Sequence, residues 1–343
     1  MIILSEDGIR QKLFPFTHTR HTAAIRIGIL TIREKWEMLT GECVRLVDKE
    51  QGLSVPANVI PTQENFEEIL QTLNNNLPLQ ESENLKFINH PKHIFQLNDY
   101  ALRHDFAIVT KGKRSEIPDQ TNGVINPGNI FLEAGAKVSY SILNASAGPI
   151  YIGKNAEVTE GNMIRGGFSL GANSVLKMGS KIYGTTTIGP NCVAGGEIKN
   201  SVLFGNSNKA HHGYLGDSVI GEWCNLGAGT SNSNVKNTAG EISFKTGDNS
   251  EVVNAGKKAG LLMGDYSRCA INTSFNTGST VGVCCNIFGV TAPEKYTENF
   301  TWGNEKYIFE KAAEHIQNWK KMKNQSLTAK EKESLQNLYN KIN

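Results

Sequence analysis

Polar side chains suited to acid–base chemistry are concentrated between residues 197 and 234. Glu197 and Lys199 are two residues apart in a strand-like stretch, so their side chains share one face. His211 follows, and the unperturbed pKa of an imidazole lies near neutral pH, which suits a general base. Adjacent strand residues point to opposite sides, so only one of His211 and its neighbour His212 can face a shared site. Glu197 could orient or charge-stabilise the imidazole, although a single histidine on such a face is more often structural.

A six-residue period predicts the elements that position these side chains. Small or apolar residues recur without a miss at Ile152, Val158, Ile164, Leu170, Leu176, Ile182, Ile188 and Ala194. This period fits neither a helix nor a simple alternating strand, but it is typical of a hexapeptide β-helix in which each repeat forms one flat face. A coil takes about 18 residues in such a fold. We therefore expect Glu197 and His211 on the same or an adjacent coil.

The same period indicates how far the solenoid extends, from about residue 122 to residue 288. It resumes after a slip as Val202, Asn208, Tyr214, Ile220 and Leu226, then as Met263, Cys269, Phe275, Val281 and Ile287, and a weaker run precedes it at Val124, Ile130, Ala136 and Ile142. The polar stretch 230–258 breaks the period and predicts a loop that projects from the scaffold. A sandwich or barrel of short strands is the alternative, but the uninterrupted repeats favour the solenoid.

Composition and patterning divide the chain into three segments. Residues 1–118 predict a small α/β domain, residues 119–303 an all-β parallel β-helix, and residues 304–343 short C-terminal helices. In the first segment, residues 1–4 and 44–47 predict strands, residues 64–73 predict a helix, and another helix ends at Gly41 after apolar residues at helical spacing. These apolar residues are Ile25, Ile29, Ile32, Trp36 and Leu39. In the third segment, Thr328 and Glu331 form a capping box.

The overall composition excludes several classes of protein. A chain that is 39% hydrophobic and 20% charged is not a disordered polyampholyte, and a net charge of +2 gives no electrostatic reason to expect nucleic acid as a partner. No apolar run approaches the length of a membrane span, and the first residues lack the pattern of a signal peptide, so we expect a cytoplasmic protein. The six cysteines have no zinc-site spacing, which predicts reduced thiols and no metal site in the solenoid.

The polar stretch also resembles a known family. Its spacing is similar to the acetyltransferase half of the bacterial bifunctional N-acetylglucosamine-1-phosphate uridyltransferase/glucosamine-1-phosphate acetyltransferase, with the patterns E-x-K, H-x-x-Y-x-G-D and I-G-x-x-x-N-x-G-A-G-T followed by an Asn. The matching residues are Glu197, Lys199, His211, Tyr214, Gly216, Asp217, Ile220, Gly221, Asn225, Gly227, Ala228, Gly229, Thr230 and Asn234. Residues 28–36, 148–153 and 221–227 resemble a Bacteroidetes branch of the family.

The resemblance implies a left-handed β-helix that forms a homotrimer, with the site between neighbouring solenoids and acetyl-CoA as acyl donor. It implies that His211 is the general base for the attack of a sugar 2-amino group on the thioester, and that Glu197 holds and polarises the site. The implied substrate contacts are Lys199 and Lys181 for the phosphate, Tyr214 and Asn225 for the sugar, and Asn234 and Gly229 near the acetyl-CoA. Lys181 stands where the family has an arginine, and it offers a cation without the bidentate fork.

The first 118 residues resemble a shortened sugar nucleotidyltransferase domain. That family opens with a strand and an L-x-x-G-x-G-T-R loop whose backbone amides approach nucleotide phosphates. Here the corresponding loop, residues 4–10, contains one glycine and two acids. The candidate phosphate ligands are Arg10, Arg20 and Arg26, and Asp99 and Asp105 are candidate ligands for Mg²⁺, which is expected only if this domain is active. The altered loop predicts that nucleotidyl transfer is lost or inefficient.

The sequence therefore predicts an acetyl-CoA-dependent N-acetyltransferase acting on an amino-sugar phosphate such as glucosamine-1-phosphate. The product would enter the synthesis of nucleotide sugars and cell-envelope precursors. Two alternatives stay open at this point: a bifunctional enzyme that also transfers a nucleotidyl group, and a catalytically silent hexapeptide-repeat scaffold. The joint presence of His211, Glu197 and Lys199 argues against the silent scaffold.

Overall fold

A left-handed β-helix of about 10 turns forms the middle of the chain. The structure is a computed structural model that describes residues 1–49, 54–246, 251–289 and 293–342. Three parallel sheets form the faces of the solenoid, and the inward side chains of all three share one apolar core. This architecture confirms the fold predicted from the six-residue period.

The three faces are defined by their strands in chain order. The first face contains Gly123–Ile125, Ile142–Asn144, Met163–Arg165, Lys181–Tyr183, Glu197–Lys199 and Tyr214–Gly216. The second face contains Ile130–Leu132, Ile150–Ile152, Phe168–Leu170, Thr186–Ile188, Val202–Leu203, Val219–Ile220, Leu261–Met263, Ser279–Val281 and Tyr296–Thr297. The third face contains Lys137–Val138, Glu157–Val158, Val175–Leu176, Val193–Ala194, Asn208–Lys209, Asn225–Leu226, Arg268–Cys269, Asn286–Ile287 and Thr301–Trp302, with Glu305–Lys306 antiparallel at its end.

The predicted inward register is correct over its uninterrupted part, at Ile220 and Leu226 and from Met263 onward, but it is wrong at one position before that part and at three positions directly after the slip. All eight residues from Ile152 to Ala194 are at most 2% exposed, and the run from Met263 to Ile287 lies in the same core. Elsewhere the inward residues are Leu143, Leu203, Lys209 and Leu215 instead of the predicted Ile142, Val202, Asn208 and Tyr214. The corner after Lys199 is one residue shorter than the preceding one, because Thr187 pairs with Val202 while Tyr183 pairs with Lys199. Tyr214 is therefore on the outer surface.

The N-terminal unit is built on a small parallel sheet in which Ile2–Ser5 lies between Val44–Val47 and Val55–Pro56. The remaining elements are the strands Arg26–Ile27, Leu30–Thr31, Val59–Ile60 and Lys86–Phe87, and the helices α1 (Ile32–Thr40), α2 (Phe66–Asn74), α3 (Lys92–Gln96) and α4 (Asn98–Thr110). Short 3-10 turns cover Arg10–Leu13, Thr22–Ala24 and Pro127–Asn129.

The helix predicted to end at Gly41 starts later than its apolar spacing indicated. A capping box between Thr31 and Glu34 starts α1, and Gly41 ends it in the left-handed conformation with φ 68°. Ile25 and Ile29 precede the helix, because the chain forms a 3-10 turn and a short strand pair there. The strands predicted at residues 1–4 and 44–47 and the helix predicted at 64–73 are confirmed within one or two residues.

The N-terminal unit shares its hydrophobic core with the second face of the solenoid. Phe16 and Phe204 pack with tilted rings whose centroids are 5.3 Å apart, and Val219 and Leu262 lie in the same cluster as Trp36. The segment predicted as a projecting loop contains the hairpin strands Ile242–Thr246 and Glu251–Gly256, and its buried Ile242 and Phe244 join this cluster. These apolar side chains alternate along the strand, so one side of the hairpin packs against the N-terminal unit.

Two C-terminal helices, α5 (Phe309–Lys321) and α6 (Ala329–Ile342), cover the corner between the second and third faces. The predicted capping box is present, since Thr328 and Glu331 exchange hydrogen bonds at the start of α6. None of the helices in the described ranges is long and apolar enough to cross a membrane. The first face keeps exposed apolar side chains, with Ile142 46% and Met163 59% exposed.

Candidate functional site

Three neighbouring strands of the first face bring together most of the predicted site residues. In the sheet register, Lys181 pairs with Glu197, Glu197 pairs with Tyr214, and Tyr183 pairs with Lys199. Because the side chains of a strand alternate, these five residues point outward in two parallel rows. The prediction that Glu197 and Lys199 share a face is correct.

Two hydrogen-bonded groups of side chains form a polar cluster on this face. Tyr183 donates its hydroxyl hydrogen to Glu197 Oε1 at 2.6 Å. The side-chain amide of Asn234 donates to the Tyr214 hydroxyl at 3.0 Å and to Asp217 Oδ2 at 2.5 Å. Asn200 donates to the other carboxylate oxygen of Asp217 at 2.6 Å and joins the cluster from the corner. These bonds hold the Asn234 side chain beside the Tyr214 hydroxyl, although Asn234 lies 20 residues further along the chain.

Sequence reasoning missed Tyr183 and Asn200. Tyr183 follows Lys181 by two residues in one strand, so strand alternation could have indicated a shared face. Asn200 has a left-handed backbone with φ 44°, a conformation that asparagine adopts more readily than most residues. Neither residue belongs to the motif that indicated the site.

The two phenols of the cluster stay protonated at neutral pH. The hydrogen bond to the Glu197 carboxylate raises the pKa of Tyr183 to about 12, with a further contribution from burial. Burial raises the pKa of Tyr214 as well, and the negative charge of Asp217 adds to the effect. Lys199 lies beside this cluster, with Nζ 5.8 Å from the centre of the Tyr183 ring. The cluster therefore offers neutral hydroxyl groups and a cation on one surface.

The two histidines lie on the corner that leads from the third face into the strand of Tyr214. Gly196, with φ 80°, allows this corner to stack on the preceding one, because a Cβ there would lie 2.7 Å from the carbonyl oxygen of His211. The amide of Glu197 donates to the carbonyl oxygen of Gly213 at 3.2 Å, which places His211 on the coil next to Glu197, as predicted. Both imidazoles are exposed.

The structure does not join the two predicted catalytic side chains by a hydrogen bond. The Glu197 carboxylate accepts from Tyr183, and neither imidazole of the 211–212 pair has a hydrogen-bond partner within the ranges that the structure describes. An imidazole exposed in this way can meet an acceptor molecule on the first face. The catalytic roles of His211 and Glu197 stay predictions.

Three further predicted contacts, Asn225, Gly229 and Lys181, lie outside the hydrogen-bonded groups of this cluster. Asn225 is on the third face, where it pairs with Asn208 and Arg268, so within one chain it lies apart from Glu197 and Tyr214. Gly229 occupies the corner of the next coil, and its amide donates to the carbonyl oxygen of His212 at 3.2 Å. Lys181 is exposed on the first face.

The N-terminal arginines are bound to carboxylates and carbonyl groups of the protein itself. Arg10 pairs with the buried Glu6, whose carboxylate also accepts from the amide of Thr22 at 2.7 Å. Arg20 pairs with Asp265 and lies 3.3 Å from Glu222, both in the solenoid. Phosphate binding by Arg10 and Arg20 stays a prediction, and so does phosphate binding by Arg26.

That third arginine, Arg26, contacts the carbonyl oxygen of Ile29 and lies 3.4 Å from Glu34. Asp105 is 1% exposed and is bound by the Lys35 ammonium and by the amides of Ile29 and Leu30 at 2.8 and 3.0 Å.

Asp99 pairs with Arg103 at 2.7 Å and accepts from Thr185 at 2.5 Å. The oxygens of Asp99 and Asp105 are therefore directed at internal donors, and these two residues do not fit a Mg²⁺ site. Within the described part of the chain, no three His, Cys, Asp or Glu side chains come together as a metal site.

The fold defines a hexapeptide-repeat protein, and the polar cluster lies on one face of its solenoid. Comparison with known proteins agrees with this class. The family model described as sugar nucleotidyl transferase matches residues 2–54. The chain is 32% identical over 117 residues to the "Bifunctional protein GlmU" of Methanocaldococcus jannaschii, a match that covers 34% of this chain and 28% of that protein.

Two further relatives have similar names. A "Bifunctional sugar-1-phosphate nucleotidylyltransferase/acetyltransferase" of Sulfurisphaera tokodaii is 32% identical over 92 residues, which cover 27% of this chain and 23% of that protein. The "Bifunctional protein GlmU" of Picosynechococcus sp. is 29% identical over 141 residues, which cover 38% and 26%. These matches confirm the resemblance that the motifs indicated, and they span about a quarter of the length of each relative.

Among solved structures, the chain aligns with a mutant of GDP-perosamine N-acetyl transferase from Caulobacter crescentus in complex with CoA and GDP-perosamine. The identity is 13%, and the alignment covers 83% of this chain and 90% of that chain. The TM-score of 0.18 is too low for the alignment to support a functional conclusion.

Proposed function

We propose that this chain is an acetyl-CoA-dependent N-acetyltransferase whose acceptor is an amino-sugar phosphate such as glucosamine-1-phosphate. The observation that carries the proposal is the polar cluster of the first face, where Glu197, Tyr214 and Lys199 lie side by side next to the exposed His211. The reaction would serve the synthesis of nucleotide sugars in the cytoplasm.

The chemistry assigns a task to each group of side chains. The His211 imidazole takes a proton from the sugar amine as the nitrogen attacks the thioester carbonyl, so that a C–N bond forms, the C–S bond breaks and CoA leaves as its thiol. Lys181 and Lys199 supply two cations for the sugar phosphate from neighbouring strands. The neutral Tyr214 hydroxyl and the Glu197 carboxylate provide hydrogen-bonding groups for the sugar hydroxyls.

The same proposal includes a homotrimer in which neighbouring solenoids complete the site. Asn225 faces outward on the third face of one chain, while Glu197 and Tyr214 face outward on its first face. Residues on two faces of one solenoid can contact a single substrate when the third face of one copy lies against the first face of another. Gly229 and Asn234 would then border the acetyl-CoA.

The direct test is a screen of amino-sugar phosphates with acetyl-CoA, using thiol release as the signal and product mass as the identification. We expect thiol release only with acceptors that carry both an amine and a phosphate, and a product 42 mass units heavier, the mass of one acetyl group replacing a hydrogen, as general chemistry requires. Absence of thiol release with every acceptor would favour the silent scaffold.

Nucleotidyl transfer by the N-terminal unit is the second candidate, since the sugar nucleotidyl transferase model matches residues 2–54. The geometry of the loop argues against it. Glu6 is 2% exposed and accepts from the Thr22 amide and hydroxyl, so the loop that should approach the phosphates holds a fixed carboxylate in place of a glycine amide.

A further inference from the structure

A charged side chain lies inside the solenoid on the coil that carries the histidine corner. Lys209 is 2% exposed and occupies the inward row of the third face, between Ala194 on the preceding coil and Leu226 on the following one. Within the described strands of that face, the other inward residues are apolar or cysteine. A lysine at this position departs from the composition of the core.

The Lys209 ammonium bridges two successive corners. Its Nζ donates to the carbonyl oxygen of Gly195 at 3.0 Å and to the carbonyl oxygen of His211 at 2.6 Å. Gly195 lies two residues before Glu197, and His211 is the predicted base. One buried cation therefore contacts the backbone at both places from which the proposed catalytic side chains extend.

Stability does not explain why a lysine occupies this position. Burying an ammonium group is costly, and a methionine or leucine of similar volume would fill the same core position without that cost. Burial lowers the pKa of Lys209 to about 8, which reflects the same penalty. The two hydrogen bonds to carbonyl groups offset only part of it, so the benefit lies in what the bonds hold in place.

We propose that Lys209 is a positioning residue for His211, fixing the backbone of the histidine corner against the corner that precedes Glu197. This inference rests on the proposed function, because it assigns a purpose to the corner that carries the base. Its physical basis is that small displacements of a catalytic group strongly reduce the rate.

The test combines a backbone measurement with a double-mutant cycle on the full chain. For Lys209→Met we expect faster amide hydrogen exchange at residues 210–214, an unchanged or raised Tm, and a kcat about tenfold to a hundredfold lower, with KM for acetyl-CoA nearly unchanged. In a His211→Ala background the same substitution should have little further effect on kcat, since the base it positions is gone. Lys177→Met is the matched control, because Lys177 is an exposed lysine at the same corner two coils earlier.

The outcomes separate this inference from the proposed function. Unchanged hydrogen exchange at the histidine corner would overturn the positioning role, whether or not the protein acetylates any sugar. A fully additive cycle, or a fall in Tm that accounts for the lost activity, would also overturn it, since both indicate a purely structural lysine. If Lys209→Met does not fold, Lys209→Gln keeps one amide donor and should give an intermediate rate, and wild-type-like exchange and rate in Lys209→Gln would contradict the proposal.

Discussion

The N-terminal unit and the first face of the solenoid are both rich in charged residues, but they use them differently. In the N-terminal unit, Glu6 pairs with Arg10, Lys35 pairs with Asp105, and Arg20 pairs with Asp265, each pair with at least one buried member. On the first face, Lys181 is exposed and Lys199 is half-buried, without a carboxylate partner among the described residues. Charges that are paired inside hold the fold together, whereas charges left open to solvent can bind a ligand.

The largest expected effect is the difference between the two proposed activities in the full chain. We expect acetyl transfer to exceed pyrophosphate release from UTP or dTTP, with a sugar-1-phosphate and Mg²⁺, by about 10³-fold or more, because the loop that should approach the nucleotide phosphates carries the Glu6 carboxylate, which is bound to Arg10 and to the Thr22 amide. The full chain is the appropriate sample, since removal of the N-terminal unit would expose Phe204 and Val219. Robust pyrophosphate release would favour the bifunctional enzyme and would show that the N-terminal unit, like the first face, binds a ligand with its charged residues.

The second prediction concerns the role of paired charges in stability. Asp105→Asn should lower the free energy of unfolding by about 3–5 kcal/mol, because the buried Lys35 ammonium loses its partner. Burial raises the pKa of Asp105 and lowers that of Lys35, so neither group keeps its charge easily without the other. Lys181→Met on the first face should change stability by less than about 0.5 kcal/mol. Denaturant unfolding of both variants measures the difference, and equal effects would contradict the comparison.

The third prediction tests the exposed base. His211→Ala should lower kcat for acetyl transfer by about 10² or more with little change in acetyl-CoA binding, because removal of a base affects the transition state. His212→Ala is the matched control and should be far milder, since the H-x-x-Y-x-G-D motif begins at His211 and not at its neighbour. Thiol release under saturating substrates measures both. If the two substitutions prove equally harmless, His211 is not the base.

The fourth prediction concerns the uncovered face. Light scattering should give about three times the chain mass of 37.6 kDa, because the exposed apolar residues of the first face favour association with a second copy. Met163→Asp should weaken the assembly, whereas Met322→Asp, at a residue that is 76% exposed between the C-terminal helices, should not. A monomer that acetylates sugars at the full rate would refute the shared site.

The smallest expected effect is the pH dependence of Lys209. Its pKa of about 8 in the folded protein lies below the ordinary value of 10.5, so between these pH values the unfolded chain binds a proton that the folded chain does not. Wild-type stability should therefore rise with pH in this window. Cys269, the titratable group that interacts with Lys209, has a pKa raised by burial. The gain in stability from Lys209→Met should be larger at pH 7 than at pH 9.5, and denaturant unfolding at both values checks it.

The site residues were predictable to the extent that their geometry is local. Glu197 and Lys199 share a face because they are two residues apart in one strand, and the motif that includes Tyr214 and Asn234 indicated one cluster. The partner of Glu197 was not predictable, because Tyr183 comes from the preceding coil and the length of the corner decides which side chains become neighbours. The same corner moved the inward register from Tyr214 to Leu215.

The amino-acid sequence by itself determined the solenoid, because the burial of one residue in six is a local pattern that repeats from Ile152 to Ala194. It also determined which polar residues are concentrated between positions 197 and 234. Only the tertiary structure decided that the N-terminal unit covers the second face and that Arg20 pairs with Asp265. The tertiary structure also decided that the Lys209 side chain is buried. These outcomes depend on contacts between residues far apart in the chain, which no local period encodes, and on corner lengths that change which side of a strand faces the core.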